Sequence, residues 1–139
     1  MIEARAGSAG DEQAVTRLRA DAERELAALR GGVRLIEQTR DRSVDHIIVG
    51  TIGGHVVGFA SVSFDGAVAT VHELFVEVEA RTVGVAHAIL DEAATEARQR
   101  GCSELDSVVL PGSRESKNFF ESHAMVSRLL TVSRTLDES

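Results

Sequence analysis

The sequence predicts one α/β domain in which an antiparallel meander precedes a strand–helix–strand crossover. Two hairpin signals, Gly53-Gly54 and Asp65-Gly66, separate three apolar and β-branched runs, as expected of antiparallel strands joined by tight turns. The third run leads through a turn into an amphipathic helix, and a further apolar run follows that helix. Because strands joined by a helical crossover lie parallel, we expect a mixed sheet. The length of 139 residues suits a single domain over residues 1–139.

Two elements are predicted ahead of the meander. Residues 2–5 alternate apolar and charged side chains, which favours a short edge strand. Asp11 suits the N-cap of a helix that runs to about residue 29, before Gly31-Gly32. The apolar side chains of this helix follow the spacing of one buried face: Val15, Leu18, Ala22, Leu26 and Leu29. For residues 33–44 we favour a short strand and then a polar loop, a segment that could lie over a ligand.

The remaining elements follow from the same patterns. The meander strands are predicted at residues 46–52, 55–64 and 67–78. The next helix carries an apolar residue at every fourth position, at Val85, Ile89, Ala93 and Ala97, and Gly101 suits its C′ position. We then expect a parallel strand at residues 105–110, a short helix from the N-cap Ser113 to about residue 122, and a final strand at residues 125–136.

The turn between the third meander strand and the long helix predicts an anion site. A helix N-terminus leaves N–H groups without partners and carries partial positive charge. Gly84 would let an anion approach the backbone without meeting a Cβ atom, and Arg81 would add a fixed positive charge. This pattern favours phosphate or pyrophosphate. The alternative is an ordinary strand-to-helix connection in which Gly84 only makes a tight turn.

Composition excludes several other classes of function. A net charge of −7 without a long basic run argues against nucleic acid as the main partner. The lone Cys102 cannot form an intrachain disulfide, which suits a reducing compartment. The five histidines are scattered, so no metal-ligand cluster is predicted. Without an apolar run long enough to span a membrane and without a leader pattern, we expect a cytoplasmic protein with no membrane partner.

Two segments resemble the GNAT N-acetyltransferase superfamily. They are residues 73–86, Glu-Leu-Phe-Val-Glu-Val-Glu-Ala-Arg-Thr-Val-Gly-Val-Ala, with the helix that follows, and residues 117–125, Lys-Asn-Phe-Phe-Glu-Ser-His-Ala-Met. Arg81, Gly84 and Ala86 match that family's R/Q-x-x-G-x-G/A signature for the pyrophosphate of acyl-CoA. The resemblance extends from about residue 46 to the end of the chain, and the N-terminal strand and helix suit the same layout.

The resemblance implies a fold, a cofactor and a set of binding residues. In this family the fourth and fifth strands splay, and the pantetheine arm of acetyl-CoA or another acyl-CoA lies in the gap. Backbone groups of Leu74, Phe75 and Val76 would pair with that arm. The pyrophosphate loop would comprise Arg81, Thr82, Val83, Gly84, Val85 and Ala86, and Ser113 and Phe120 would also contact the cofactor. The acceptor, a primary amine on a small molecule or peptide, would attack the thioester directly.

Glu73 is the first candidate for the base that takes the amine proton, acting directly or through a water molecule. Simple alternation would place it on one face with Val71, Phe75 and Glu77, unless a β-bulge resets the pattern. The alternative is a surface carboxylate or one that binds the acceptor. His72 and His123 are further candidates because imidazole titrates near neutral pH, although each is more simply a structural histidine.

Four residues and the pyrophosphate loop depart from the family's pattern. Phe120 stands where many relatives carry the tyrosine that protonates the leaving thiolate, and the chain contains no tyrosine. Ser113 replaces a common asparagine, and Ala124-Met125 replaces the usual Gly-Phe. The pyrophosphate loop also has one glycine fewer than many relatives. If the enzyme is active, water or Ser116 would deliver the last proton, or the thiolate would leave unassisted.

Two functions from different classes are therefore predicted. The first is an acetyl-CoA-dependent N-acetyltransferase. The second is a weakly active or inactive domain of the same fold that binds acyl-CoA or a protein partner. A nucleotide-binding module is disfavoured because the sequence has neither a Walker lysine nor a full Gly-x-Gly-x-x-Gly. Family habit implies a homodimer, for which the edge of the strand predicted at residues 125–136 offers a route.

Overall fold

The computed structural model describes residues 1–40, 46–109, 113–129, 131–134 and 136. The strands are β1 (Ile2–Ala6), β2 (His46–Ile52), β3 (His55–Asp65), β4 (Val68–Val76) and β5 (Glu104–Ser107). The helices are α1 (Glu12–Ala27), α2 (Gly32–Arg40), α3 (Val85–Gln99) and α4 (Arg114–Ser122). Short 3-10 turns at Ala9–Asp11 and Val78–Ala80 precede α1 and follow β4.

The five strands form one mixed sheet in the order β1-β2-β3-β4-β5. All neighbours are antiparallel except β4 and β5, which are parallel and are joined through α3. The predicted meander, crossover and mixed sheet are therefore confirmed. Both predicted hairpins are present, and Gly54 and Gly66 have positive φ angles of 86° and 59°, which glycine adopts without strain.

The two parallel strands separate after four residue pairs. Their pairing runs from Val68 with Glu104 to Val71 with Ser107, whereas β4 continues to Val76. Beyond Val71, β4 is hydrogen-bonded to β3 on one edge, and its other edge has no strand partner in the part of the chain that the structure describes. The splayed strands implied by the family resemblance are confirmed, and a gap opens in the sheet.

Helices cover both faces of the sheet. On one face α1 buries Val15 and Leu18 against Val49 and Phe59, with α2 packed beside α1. On the other face α3 packs on a larger core formed by Ile48, Ala60, Val62, Ala69, Val71, Val76, Ala80, Val85, Ile89, Leu90, Ala93 and Ala97. Phe120 of α4 joins this second core. The gap between β4 and β5 is therefore flanked by α1 and α2 on one side and by α3 and α4 on the other.

Two facing glycines bring the start of α3 close to the sheet. Gly50 of β2 pairs with Gly58 of β3. A Cβ atom on Gly50 would lie 2.6 Å from Val85 Cγ1 and 2.8 Å from Ile89 Cδ1, and one on Gly58 would lie 3.2 Å from Ile89 Cδ1. A Cβ atom at either position would force Val85 or Ile89 to move, so the two glycines allow this close approach. The pair fixes the height of the first turns of α3 above the sheet.

Residues 33–44 do not begin with the expected strand. Residues 32–40 form helix α2, in which Leu35 N donates to Gly31 O at 3.0 Å. Leu35, Ile36 and Thr39 are spaced one and three residues apart, as on one side of a helix, and all three are partly buried. Residues 41–44 lie outside the described part of the chain.

The final strand predicted at residues 125–136 is also wrong for the residues that the structure describes there. None of these residues belongs to a strand, so a dimer through that edge loses its structural basis. Val126, Leu129 and Val132 are spaced three apart and are 69%, 88% and 91% exposed, which does not match the two-residue period of a strand with one buried face.

Several boundaries shift as well. The first strand extends to Ala6, the second hairpin strand to Asp65, and α1 ends at Ala27 instead of residue 29. The strand predicted at residues 67–78 ends at Val76 because the chain turns into the 3-10 segment. The strand predicted at residues 105–110 is Glu104–Ser107, followed by Val108 and Val109 outside the sheet.

Asp11 joins β1 to the start of α1. Arg5 donates two hydrogen bonds to its carboxylate, at 2.7 and 3.0 Å, and Ser8 N donates a third at 2.8 Å. The Asp11 side chain is 10% exposed and does not cap the helix in the predicted way. The hydrogen bonds from Arg5 and Ser8 hold the pKa of Asp11 well below its usual range, because they favour the charged form.

Replacing Asp11 with alanine is expected to lower the free energy of unfolding by about 1–3 kcal/mol, because Ser8 N–H and Arg5 lose their partner. Urea denaturation at pH 7 measures this loss. The control is Asp21→Ala, which removes a surface ion pair with Arg24 and should cost less than about 1 kcal/mol.

The ion pair of Asp11 with Arg5 predicts that the stability of the fold depends on pH. The pKa of Asp11 is depressed in the folded state. The contribution of Asp11 to the free energy of unfolding is therefore complete above the unfolded pKa of about 4, and it is lost as pH falls below that value. The stability difference between wild type and Asp11→Ala should therefore shrink in acid. An unchanged difference at low pH would contradict this role for Asp11.

Candidate functional site

A cavity of about 330 Å³ occupies the gap between the diverging strands. Its lining includes all of the predicted site residues except Val83: Glu73, Leu74, Phe75, Val76, Arg81, Thr82, Gly84, Val85, Ala86, Ser113 and Phe120. Val83 is 51% exposed on the outside of the loop. The cavity also reaches α1 and α2 through Leu26 and Leu35, so it passes from one face of the sheet to the other.

A β-bulge sets which side chains of β4 face which helix. Ser61 pairs with Glu73 and Val62 pairs with Val71, which leaves His72 without an opposite residue. Val71 is buried under α3, whereas Glu73 contacts Arg19 of α1. The expectation that Val71 and Glu73 share a face is therefore wrong, because the extra residue reverses the alternation between them.

The loop before α3 presents backbone N–H groups to the cavity. Thr82 and Gly84 have positive φ angles of 74° and 102°, and Ala88 N donates to Gly84 O at 3.0 Å as the first bond of the helix. The N–H groups just before Ala88 therefore have no acceptor within the helix. Left-handed residues and a helix N-terminus together form a concave set of donors that suits an anion.

Arg81 is engaged by the protein itself. Its Nε donates to Val76 O at 2.8 Å, its guanidinium donates to Glu25 at 2.8 Å, and its Cζ lies 5.2 Å from the centre of the Phe75 ring. The positive charge expected beside the anion site is thus paired with a carboxylate of α1. Arg81 ties the loop to α1, and the loop amides are further donors for an anion.

Glu73 is held by three donors. Arg19 donates from Nε to one carboxylate oxygen and from its terminal nitrogen to the other, each at 2.9 Å. Ser61 Oγ donates to the second oxygen at 2.8 Å. A carboxylate has about four acceptor positions, so about one remains on the oxygen that Arg19 Nε contacts. The side chain is 14% exposed, and it lines the cavity.

Histidines lie on both sides of the cavity. His72, beside Glu73 at the bulge, has its Nε2 2.7 Å from Ser63 Oγ. His87 of α3 has its Nδ1 2.6 Å from His123 Nε2, and both rings contact Phe119. His72 and His87 line the cavity, whereas His123 contacts His87 and does not line it.

The start of α4 supplies hydroxyl groups and the buried phenyl ring. Ser113 precedes the helix and donates from Oγ to Ser116 Oγ at 2.8 Å, and both residues line the cavity. Phe120 is 8% exposed and packs in the core beneath α3. In the part of α4 that the structure describes, serine and not an aromatic hydroxyl is therefore available to donate a proton.

Sequence reasoning missed the wall formed by α1 and α2. Leu35, Ile36 and Thr39 line the cavity, but they come from a segment predicted as a strand and loop. Leu29 also lines it, and it follows α1 instead of ending that helix as predicted. Leu35, Ile36 and Thr39 have helical spacing, but they lie within a largely polar stretch, which favoured the prediction of a loop. Comparing residues 32–40 with the helical and strand spacing templates would have indicated a helix.

The comparisons with known proteins decide the family. The model of the Acetyltransferase (GNAT) family matches residues 13–125 of the 139-residue chain. This chain belongs to the GNAT acetyltransferase family. The match runs from the second residue of α1 to beyond the end of α4, and it includes every residue that lines the cavity. No curated protein sequence matches this GNAT chain significantly.

Solved structures share the fold at low sequence identity. A transcriptional regulator from Bacillus halodurans C-125 is 19% identical, with 98% of this chain and 100% of that chain covered and a TM-score of 0.74. The aminoglycoside N-acetyltransferase AAC(6')-Iy, in complex with a bisubstrate analogue of CoA, is 16% identical over 98% and 99% of the chains, with a TM-score of 0.73. A ribosomal-protein-alanine N-acetyltransferase from Brucella melitensis biovar Abortus 2308 is 16% identical over 99% and 100%, with a TM-score of 0.73.

A second and wider groove of about 860 Å³ lies beside α1. It is lined by residues from the Ser8–Asp11 turn, by Arg19 and by His46, and none of the predicted site residues borders it. Among the residues that the structure describes, no three His, Cys, Asp or Glu side chains are grouped closely enough to hold a metal ion. None of the helices described above is long and apolar enough to cross a membrane.

The loop geometry of this GNAT protein gives a direct test. Gly84→Ala should lower the free energy of unfolding by about 1–2 kcal/mol, because alanine is strained in the left-handed region. The added Cβ atom would also obstruct the approach of the phosphates to the loop amides. Acetyl-CoA binding should therefore weaken by roughly tenfold or more, the effect expected when a hydrogen bond to a charged group is lost. Isothermal titration calorimetry measures the affinity.

The matched control is Gly54→Ala in the β2–β3 hairpin. Gly54 also has a positive φ angle, and a Cβ atom there would meet no atom within 4 Å. Its variant should lose similar stability but keep the affinity of the parent protein. Equal affinities in the two variants would show that the loop before α3 does not bind acetyl-CoA.

Proposed function

We propose that this protein is an N-acetyltransferase that moves an acetyl group from acetyl-CoA to a primary amine by direct attack. The observation that carries the proposal is the cavity at the split between β4 and β5, which continues to the free N–H groups at the start of α3. Membership of the GNAT acetyltransferase family supports the same reaction. A neighbour in complex with a CoA bisubstrate analogue shares the fold.

The residues around the cavity suit a CoA thioester. The loop amides from Thr82 to Ala86 offer donors for the pyrophosphate. The edge of β4 from Leu74 to Val76 extends past β5, and apart from Val76 O, which accepts from Arg81, its outward backbone groups can pair with a ligand. We assign Ser113 and Phe120 to the end of the cavity beside α4. When bound, acetyl-CoA supplies an activated acetyl group, so the protein needs no nucleophile of its own.

We propose that Glu73 orients the amine and accepts its proton. Arg19 and Ser61 fix its carboxylate, and its remaining acceptor position can receive an N–H of the amine or a bridging water molecule. Holding the amine in one orientation accounts for a large part of the acceleration that such a site can provide. The proton that leaves the amine nitrogen passes to Glu73, directly or through water.

The sulfur that leaves the acetyl group needs a proton or a donor nearby. Phe120 cannot provide one, and we assign this role to Ser116, whose hydroxyl accepts a hydrogen bond from Ser113 and can pass a proton from Ser113 or water to the leaving sulfur, regaining its own proton from that donor. The start of α4 lies in the same region, and its partial positive charge favours a developing thiolate. Water could replace Ser116 as the donor.

A second candidate function rests on two observations. The carboxylate of Glu73 already accepts three hydrogen bonds from Arg19 and Ser61, and Phe120 provides no hydroxyl. A domain that binds acyl-CoA or a protein partner with little turnover would share the cavity and differ only in rate. A cytoplasmic location and a homodimer stay predictions from the sequence.

Glu73→Gln should lower the turnover number by roughly 100-fold or more while acetyl-CoA binding persists, because the amide keeps the shape but cannot accept the proton. Release of free thiol from acetyl-CoA, measured with a broad panel of amines, follows the reaction. The control is Glu77→Gln on the same side of the same strand end, where the carboxylate pairs with Arg17 and does not line the cavity. It should change turnover by less than about twofold.

The outcomes separate the two candidate functions. Turnover that disappears in Glu73→Gln and survives in Glu77→Gln supports the enzyme and the role of Glu73. Turnover that survives in both variants removes Glu73 from the reaction. Binding of acetyl-CoA without turnover on any amine favours the binding domain.

A further inference from the structure

The end of the cavity beneath α1 and α2 is walled by large apolar side chains. We call this set the apolar wall; it consists of Leu26, Leu29, Leu35, Ile36 and Phe75. All five are partly buried, so they keep part of their surface toward the cavity. Other apolar residues of these helices, such as Val15 and Leu18, are buried in the core instead. Exposed apolar surface inside a cavity favours an apolar ligand.

Three carboxylates from α1 and β4 line this end of the cavity and each already has an interaction partner, whereas the fourth lining carboxylate, that of Glu115, belongs to α4. Glu73 receives two hydrogen bonds from Arg19, and Glu25 receives one from Arg81 at 2.8 Å. Glu23 is also engaged by another group. An acceptor with several positive charges would need several carboxylates without counterions, since unpaired cations are costly to desolvate. The charges around the apolar wall therefore suit an acceptor with one ammonium group.

The volume limits the acceptor as well. About 330 Å³ lies near the lower end of the range for ligand sites, roughly 300–1,000 Å³. The same cavity extends to the loop before α3, so the acceptor has only part of this space. A bulky polycyclic amine would not fit within the part bounded by α1, α2 and β4.

From these observations we propose that the acceptor is a small primary amine with one positive charge and an apolar body. The amine nitrogen lies at the remaining acceptor position of Glu73, and the hydrocarbon body packs on the apolar wall. The proposal rests on the proposed acetyl transfer and specifies its acceptor. It excludes polyamines, aminoglycosides and basic peptides as preferred acceptors.

A series of straight-chain amines tests the proposal. From propylamine to hexylamine, kcat/KM should rise by about fourfold for each added methylene group, because burying one such group is worth about 0.8 kcal/mol. Hexylamine should exceed spermidine and an aminoglycoside by at least about tenfold, equivalent to 1.4 kcal/mol. A flat series, or a preference for spermidine or the aminoglycoside, would overturn the proposal while leaving acetyl transfer intact.

Two variants of α2 test whether the dependence of kcat/KM on amine chain length arises at the apolar wall. Leu35→Ala should reduce the gain per methylene group, because Leu35 belongs to the apolar wall. Val33→Ala is the matched control, since Val33 lies on the same helix, is 57% exposed and does not line the cavity. Melting temperatures of both variants show whether each is folded. An identical chain-length series in parent and Leu35→Ala would contradict the position of the acceptor.

Equilibrium binding keeps the test decisive if no amine is acetylated. Calorimetric titration of hexylamine and propylamine into the CoA-saturated protein should show tighter binding of hexylamine, by the same factor per methylene group. Failure of CoA to bind or of any amine to be acetylated counts against the proposed function. Equal or absent binding of the two amines counts against the acceptor proposed here.

Discussion

The cavity exists because β4 and β5 are hydrogen-bonded over only four residue pairs. Past Val71 and Ser107 the strands separate, and the backbone of β4 keeps one edge without a strand partner among the described residues. Buried backbone groups of this kind need a hydrogen-bonding partner. The amide groups of the proposed ligand, acetyl-CoA, would satisfy that need. The same separation lets α1 and α2 on one face reach the space that α3 and α4 border on the other.

Close packing and ion pairs fix the two ends of this gap. Gly50 and Gly58 allow α3 to rest directly on the sheet, which places its N-terminus at the cavity. Arg81 and Arg19 bind carboxylates across the α1 interface, Glu25 for the loop and Glu73 for the strand. Both arginines thus position the surroundings of the site, and the backbone N–H groups and one oxygen of Glu73 are left to meet ligands.

Local patterns predicted most of the fold and part of the site. The hairpins at Gly53-Gly54 and Asp65-Gly66, helix α3 and the turn at Gly84 depend on neighbouring residues, so the sequence reveals them. The bulge at His72 depends on the register of β4 against β3. The partners of Arg19 and Arg81 lie 54 and 56 residues away, beyond any spacing rule. Helix α2 was missed because its apolar residues also suit a short strand.

The central claim is that acetyl-CoA binds in the gap between β4 and β5, with its phosphates at the start of α3. Backbone amide shifts in a ¹⁵N NMR titration with acetyl-CoA test it most directly. The largest changes should fall on residues 74–76 and 82–87. Changes concentrated at the wider groove, around residues 8–11 and at His46, or no saturable change at all, would contradict the claim.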